Sequence, residues 1–96
     1  MHVAICHLTL RIAASNSLKD KRQVVKSLIA RIHNQFNVSI AEVEDNEAWR
    51  TAGLGLACVS NSGAHAGRML ESVVEFIERT RPDVEVVDCE TEVMSL

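Results

Sequence analysis

The chain has no tyrosine, two phenylalanines and one tryptophan among its 96 residues. An RNA-recognition sheet that stacks bases on aromatic side chains of its central strands is therefore excluded. One proline and four glycines leave no linker composition. The three cysteines, Cys6, Cys58 and Cys89, are widely spaced and odd in number. That excludes a disulfide framework and fits a reducing cytoplasm. No apolar run approaches the length of a membrane span. Met1-His2-Val3-Ala4 enters an alternating pattern without the features of an export signal, so a cytoplasmic protein without a membrane partner is expected.

What is present is a chain that is 47% hydrophobic, enough for one core and one domain over residues 1–96. The net charge of -3 is unevenly spread. Residues 1 to 36 hold Arg11, Lys19, Lys21, Arg22, Lys26 and Arg31 against one acid, Asp20, whereas residues 37 to 96 hold four basic and twelve acidic side chains. Halves of +5 and -8 imply either a polarised surface or charges that pair across the fold.

From His2 to Ile12 the pattern has period two. His2, Ala4, Cys6, Leu8, Leu10 and Ile12 share one face, and Val3, Ile5, His7, Thr9 and Arg11 share the other, which predicts a half-buried strand. Ser17 with Asp20 three residues on is a capping-box signal, the carboxylate reaching back to the cap's N–H. It opens a helix over Leu18 to Phe36 with the stripe Val25, Leu28, Ile29, Ile32 and Phe36, and Asn37 is a plausible stop. Val38 to Asp45 predicts a second strand, with a bulge or exposed edge where the alternation changes phase between Ile40 and Val43. The acidic loop Glu44-Asp45-Asn46-Glu47 follows, then a third strand around Leu54, Leu56 and Cys58. Ser60-Asn61-Ser62-Gly63 supplies caps for a second helix with the stripe Ala66, Met69, Leu70, Val73 and Ile77. Pro82 stops it, and Val84 to Met94 makes a fourth strand.

The order β-α-β-β-α-β with two right-handed crossovers gives an α+β, ferredoxin-like sandwich. Its four-stranded antiparallel sheet has the order 4-1-3-2, and both helices lie on one face. The other face is left uncovered. Val3, Ile5, His7 and Thr9 of strand one and Gly53, Gly55, Ala57 and Val59 of strand three should line it, and Val3, Ile5, His7 and Val59 are the candidate interaction face.

Two charged features bear on function. Lys19, Arg22, Lys26 and His33 fall along one flank of the first helix, with Lys21 in the first turn nearer the sheet. Lys19, Lys21, Arg22 and Lys26 are the candidate anion- or RNA-binding set, since cations crowded at a helix start oppose the helix dipole and suit phosphate. The alternative is a solvated flank facing Glu71, Glu75 and Glu78 of the second helix. Strand order 4-1-3 also brings Cys89, Cys6 and Cys58 onto neighbouring strands. Without a Cys-x-x-Cys pair they read as small core hydrophobes and not as a metal site. His2, His7, His33 and His65 lack the spacing of a helical metal site, and no motif sets a nucleophile beside an oriented base. A non-catalytic protein without metal or cofactor is expected. Trp49 can stack on a base or a partner; packing across the sheet end is the expected use. A metallochaperone's Cys-x-x-Cys and an acylphosphatase's Arg-bearing glycine loop are both replaced by Ala13-Ala14-Ser15-Asn16.

Leu8-Thr9-Leu10-Arg11-Ile12, Ser17-Leu18-Lys19-Asp20-Lys21-Arg22, Val25-Lys26-Ser27-Leu28, Asn37-Val38-Ser39-Ile40-Ala41-Glu42-Val43 and Trp49 together resemble the YlxP-like family of small bacterial proteins. The resemblance covers nearly the whole chain. It implies a stand-alone cytoplasmic ferredoxin-like domain without an established catalytic residue. Members often have gene neighbours encoding transcription-elongation, translation-initiation and ribosome-maturation factors, which implies an RNA or ribosome connection. The two expectations are therefore an RNA- or ribosome-associated accessory factor and, alternatively, a protein-interaction or homodimerisation module using the open sheet face.

Overall fold

A computed structural model describes residues 1–44 and 47–96. The elements run β1 (His2–Arg11), α1 (Leu18–Gln35), β2 (Ser39–Glu44), β3 (Thr51–Ser60), α2 (Gly63–Thr80) and β4 (Glu85–Ser95). Asp45 and Asn46, the middle of the acidic loop and the last residue expected in strand two, lie outside the described residues. All strand pairs are antiparallel and the sheet order is β2-β3-β1-β4, the expected order read from the other edge. β1 and β3 are the central strands. Their alternation places Ala4, Cys6, Leu8 and Leu10 with Ala52, Leu54, Leu56 and Cys58 under the helices, all buried.

Each helix begins on a hydroxyl. The Ser17 Oγ accepts from the Asp20 N–H at 3.0 Å, and the Ser62 Oγ accepts from the His65 N–H at 3.3 Å. The Asp20 carboxylate does not reach the cap's own N–H. It accepts from Asn16 at 3.0 Å, one residue earlier, and so fixes the entering chain. α1 ends at Gln35, one residue short of the expected span, and Phe36 is its C-cap, whose N–H donates to the Ile32 carbonyl.

α1 packs over β2 and β3, and α2 over β1, β3 and β4. Val25, Leu28 and Ile32 of α1 meet Ala66, Leu70, Val73, Phe76 and Ile77 of α2 in one buried cluster with the sheet. Phe36 and Phe76 pack edge-on at 5.4 Å, and Arg31 and Arg79 lie 5.7 and 6.0 Å from the Phe76 ring centre. Arg81 and Asp83 form a two-pronged contact at 2.9 and 2.7 Å in the turn into β4. Among the described residues, no helix is long and apolar enough to cross a membrane.

Candidate functional surfaces

The cations of α1 do not stay together as one set. Lys19, Arg22 and Lys26 are exposed, about 10 Å from first to last along the helix. Lys21 is 2% exposed and engaged in an interaction of its own, so it turns into the fold and leaves the outer ridge. The candidate anion set thus loses Lys21 as an outward-facing member. The ion pairs among the described residues are His7–Glu44 and Arg81–Asp83, so Lys19, Arg22 and Lys26 meet no carboxylate of Glu71, Glu75 or Glu78. No ion pair joins this flank to helix two, and its cations stand in solvent. Exposed acids stand on both edges of the sheet: Glu85, Asp88, Glu90 and Glu92 along β4, and Glu42 and Glu44 on β2, in the half that α1 covers.

The uncovered sheet face carries the residues expected there. Val3 lies opposite Val59, Ile5 opposite Ala57, His7 opposite Gly55 and Thr9 opposite Gly53. Ile5 is 37% and Val59 66% exposed, and Met94, opposite Val3 on β4, is 38% exposed. A groove of about 530 Å³ crosses this face. Gly55, Ala57 and Ala41 lie along it, Val43 stands on one side and Glu90 and Glu92 on the other.

The shape of the groove comes from an irregularity in β2. The pairing with β3 shifts register between Glu42 and Glu44, the phase change expected between Ile40 and Val43. Val43 and Glu44 then both fold over β3. A Cβ on Gly55 would come within 2.8 Å of the Val43 side chain, and one on Gly53 within 2.7 Å of the Glu44 side chain. The glycines admit this close approach. Glu44 reaches across to β1, where its Oε1 lies 2.6 Å from His7 Nε2. Sequence reasoning placed His7, Gly53 and Gly55 on the face but missed the Glu44 contact. The signal available was alternate glycines on one strand opposite a phase break in its neighbour.

Trp49, expected to pack across the sheet end, is 53% exposed. Its neighbour Arg50 is used structurally: the Arg50 carbonyl accepts from the Ile12 N–H at 2.7 Å, and Arg50 Nε donates to the Ser15 carbonyl at 3.0 Å.

The cysteines divide into a pair and a single. Cys6 and Cys89 bring their sulfurs to 3.4 Å, and burial pushes the Cys6 thiol up to about 11. Cys58 instead donates to the Ala66 carbonyl at 3.3 Å, and burial raises its pKa as well. Among the described residues, no three or more His, Cys, Asp or Glu side chains group as metal ligands.

One layer of two helices on a 2-3-1-4 antiparallel sheet, with the opposite face open, defines a ferredoxin-like α+β domain. The chain belongs to the DUF503 family, described as protein of unknown function, whose family model matches residues 3–91. It is 37% identical over 78 residues to Uncharacterized protein YlxP of Bacillus subtilis (strain 168), which spans 81% of this chain and 84% of that protein. The resemblance carried by residues 17–22 and 37–43 thus agrees with the family comparison. Among solved structures, De novo designed protein Foldit4 is similar with a TM-score of 0.55, covering 100% of this chain and 99% of its own at 10% identity. That likeness concerns the fold alone.

Proposed function

We propose that this protein is a non-catalytic accessory factor that binds RNA phosphates, free or within a ribosome, through the outer flank of α1. The observation that supports the reading is that Lys19, Arg22 and Lys26 stand exposed on one flank without a carboxylate partner among the described residues. With no aromatic on β1 or β3, the sheet offers no stacking platform and the mode rests on backbone neutralisation.

The test is fluorescence anisotropy with a structured RNA at rising salt. Three phosphate contacts predict a log–log slope of about -2.1 to -2.7, so affinity falls about 20- to 40-fold between about 50 and 200 mM salt. The double variant Arg22→Glu, Lys26→Glu should abolish binding with its circular dichroism unchanged. Salt-insensitive binding, or full binding by the double variant, would sink the reading.

A second reading has its own observation in the groove of the uncovered sheet face. Its apolar rim of Ile5 and Val43, its small-residue floor and the exposed Val59 further along the same face suit a second copy of the chain laid sheet against sheet. Light scattering decides it: a mass that stays at one chain up to high micromolar concentration rejects self-association, and a dimer disrupted by Ile5→Glu supports it.

A further inference from the structure

The thiols Cys6 and Cys89 are placed as a reacting pair and not as two separate core residues. On β1 and β4, Leu8 faces Cys89 and Cys6 faces Thr91, so the two cysteines are diagonal neighbours on the helix side of the sheet. Their sulfurs are 3.4 Å apart, and the Thr91 hydroxyl lies 3.7 Å from the Cys89 sulfur. The two differ in access. Cys6 is 4% exposed, while Cys89 is exposed and opens on a small cavity of about 240 Å³ between α2 and β4, lined by Leu70, Glu71, Val74, Glu75 and Thr91. Cys58 is held away by its bond to the Ala66 carbonyl.

We propose that Cys89 and Cys6 form a peroxide-responsive thiol pair, in which Cys89 is oxidised first and Cys6 closes an intramolecular disulfide onto it. The oxidant is a small uncharged hydroperoxide. Glu71 and Glu75 flank the entrance and would repel an anionic oxidant such as glutathione disulfide, whereas hydrogen peroxide carries no charge and fits the cavity. The Cys89 thiolate attacks one peroxide oxygen, the O–O bond breaks, and the departing hydroxide takes up a proton as water. The product is the Cys89 sulfenic acid. The Cys6 sulfur then attacks the Cys89 sulfur, the S–O bond breaks, and hydroxide leaves with the Cys6 proton as a second water. Two thiols and one peroxide become one disulfide and two waters, the two electrons passing to the peroxide.

The order of events follows from burial. Cys6 keeps its proton to about pH 11, so it is the poorer first nucleophile. Held against its partner, it needs no encounter to resolve the sulfenic acid. Bond formation requires the sulfurs to close by about 1.4 Å. β4 supplies that movement, because it is an edge strand hydrogen-bonded to β1 alone. Oxidation would therefore draw the acidic edge strand towards the sheet centre and tie residues 6 and 89 covalently.

The experiment treats the reduced, folded chain with hydrogen peroxide at one to a few equivalents, followed by intact-mass analysis, maleimide counting after denaturation and non-reducing peptide mapping. The expected result is the loss of two hydrogens, one maleimide-reactive thiol left in place of three, and a single Cys6–Cys89 linkage reversed by dithiothreitol. Cys58→Ser should give the same linkage, and Cys6→Ala should leave a Cys89 sulfenic acid trapped by dimedone. Cys89 carried on to sulfinic or sulfonic acid while Cys6 stays free would overturn the proposal. So would a linkage to Cys58, or a dimer joined through Cys89. The wild-type result stands without either variant, so a variant that fails to fold does not remove the test.

Discussion

Leu8 shows how much one side chain contributes here. It is fully buried on a central strand, within the one core cluster that joins the sheet and the helices. Leu8→Ala should destabilise by about 2–5 kcal/mol, through lost transfer energy and the cavity left behind, measured as a lower urea midpoint at unchanged m-value. Gly53 is the opposite case, a position defined by what cannot be added. A Cβ there would meet the Glu44 side chain down to its own Cβ at 2.9 Å, so the root of that side chain must move and not only its tip. Gly53→Val should cost about 1–3 kcal/mol as overpacking. It should also separate Glu44 from His7, seen as a shift of the His7 ring resonances by NMR.

At the scale of elements, α1 is set by its first residues. Ser17→Ala removes the acceptor for the Asp20 N–H and should cost about 0.5–2 kcal/mol in urea unfolding. Ser17 and the Val25-Leu28-Ile32 stripe made this helix legible from sequence because capping and helical period are local signals. The same holds for β1, whose ten residues alternate without a break. β2 was legible only in part. Its phase change announced a bulge, but that Val43 and Glu44 fold over Gly55 and Gly53 depends on which strand lies beside it, a pairing no local pattern contains. The site residues followed the same division. Lys19, Arg22 and Lys26 were correctly placed outside by the helical wheel, whereas the burial of Lys21 depends on the fold around it. Trp49 and the Cys6–Cys89 contact were likewise matters of tertiary placement.

Over the whole molecule, stability is bounded in pH from both sides by groups whose protonation differs between the folded and unfolded chain. On the acid side, the Arg81 guanidinium holds the Asp83 carboxyl below its ordinary range. A depressed folded pKa contributes stability above the unfolded value near 3.8, and this is lost as pH falls through the folded one. Because Asp83 is 43% exposed, solvent screens the pair and Asp83→Asn should cost under about 1 kcal/mol at neutral pH. That cost should vanish in strong acid. On the alkaline side the sign reverses. Burial raises Cys6 from 9.0 to about 11, so the unfolded chain releases this proton first and the folded chain still holds it. Stability is full below about pH 9 and falls as pH rises towards 11. Cys6→Val removes the titrating group while keeping the apolar volume. Under reducing conditions, urea midpoints of wild type and this variant should therefore differ by a constant amount from pH 6 to about 8.5, and the wild type should lose ground steadily above that. Parallel curves through pH 11 would mean that the buried thiol ionises as readily in the fold as outside it, and that the Cys6 side of the sheet is open to water.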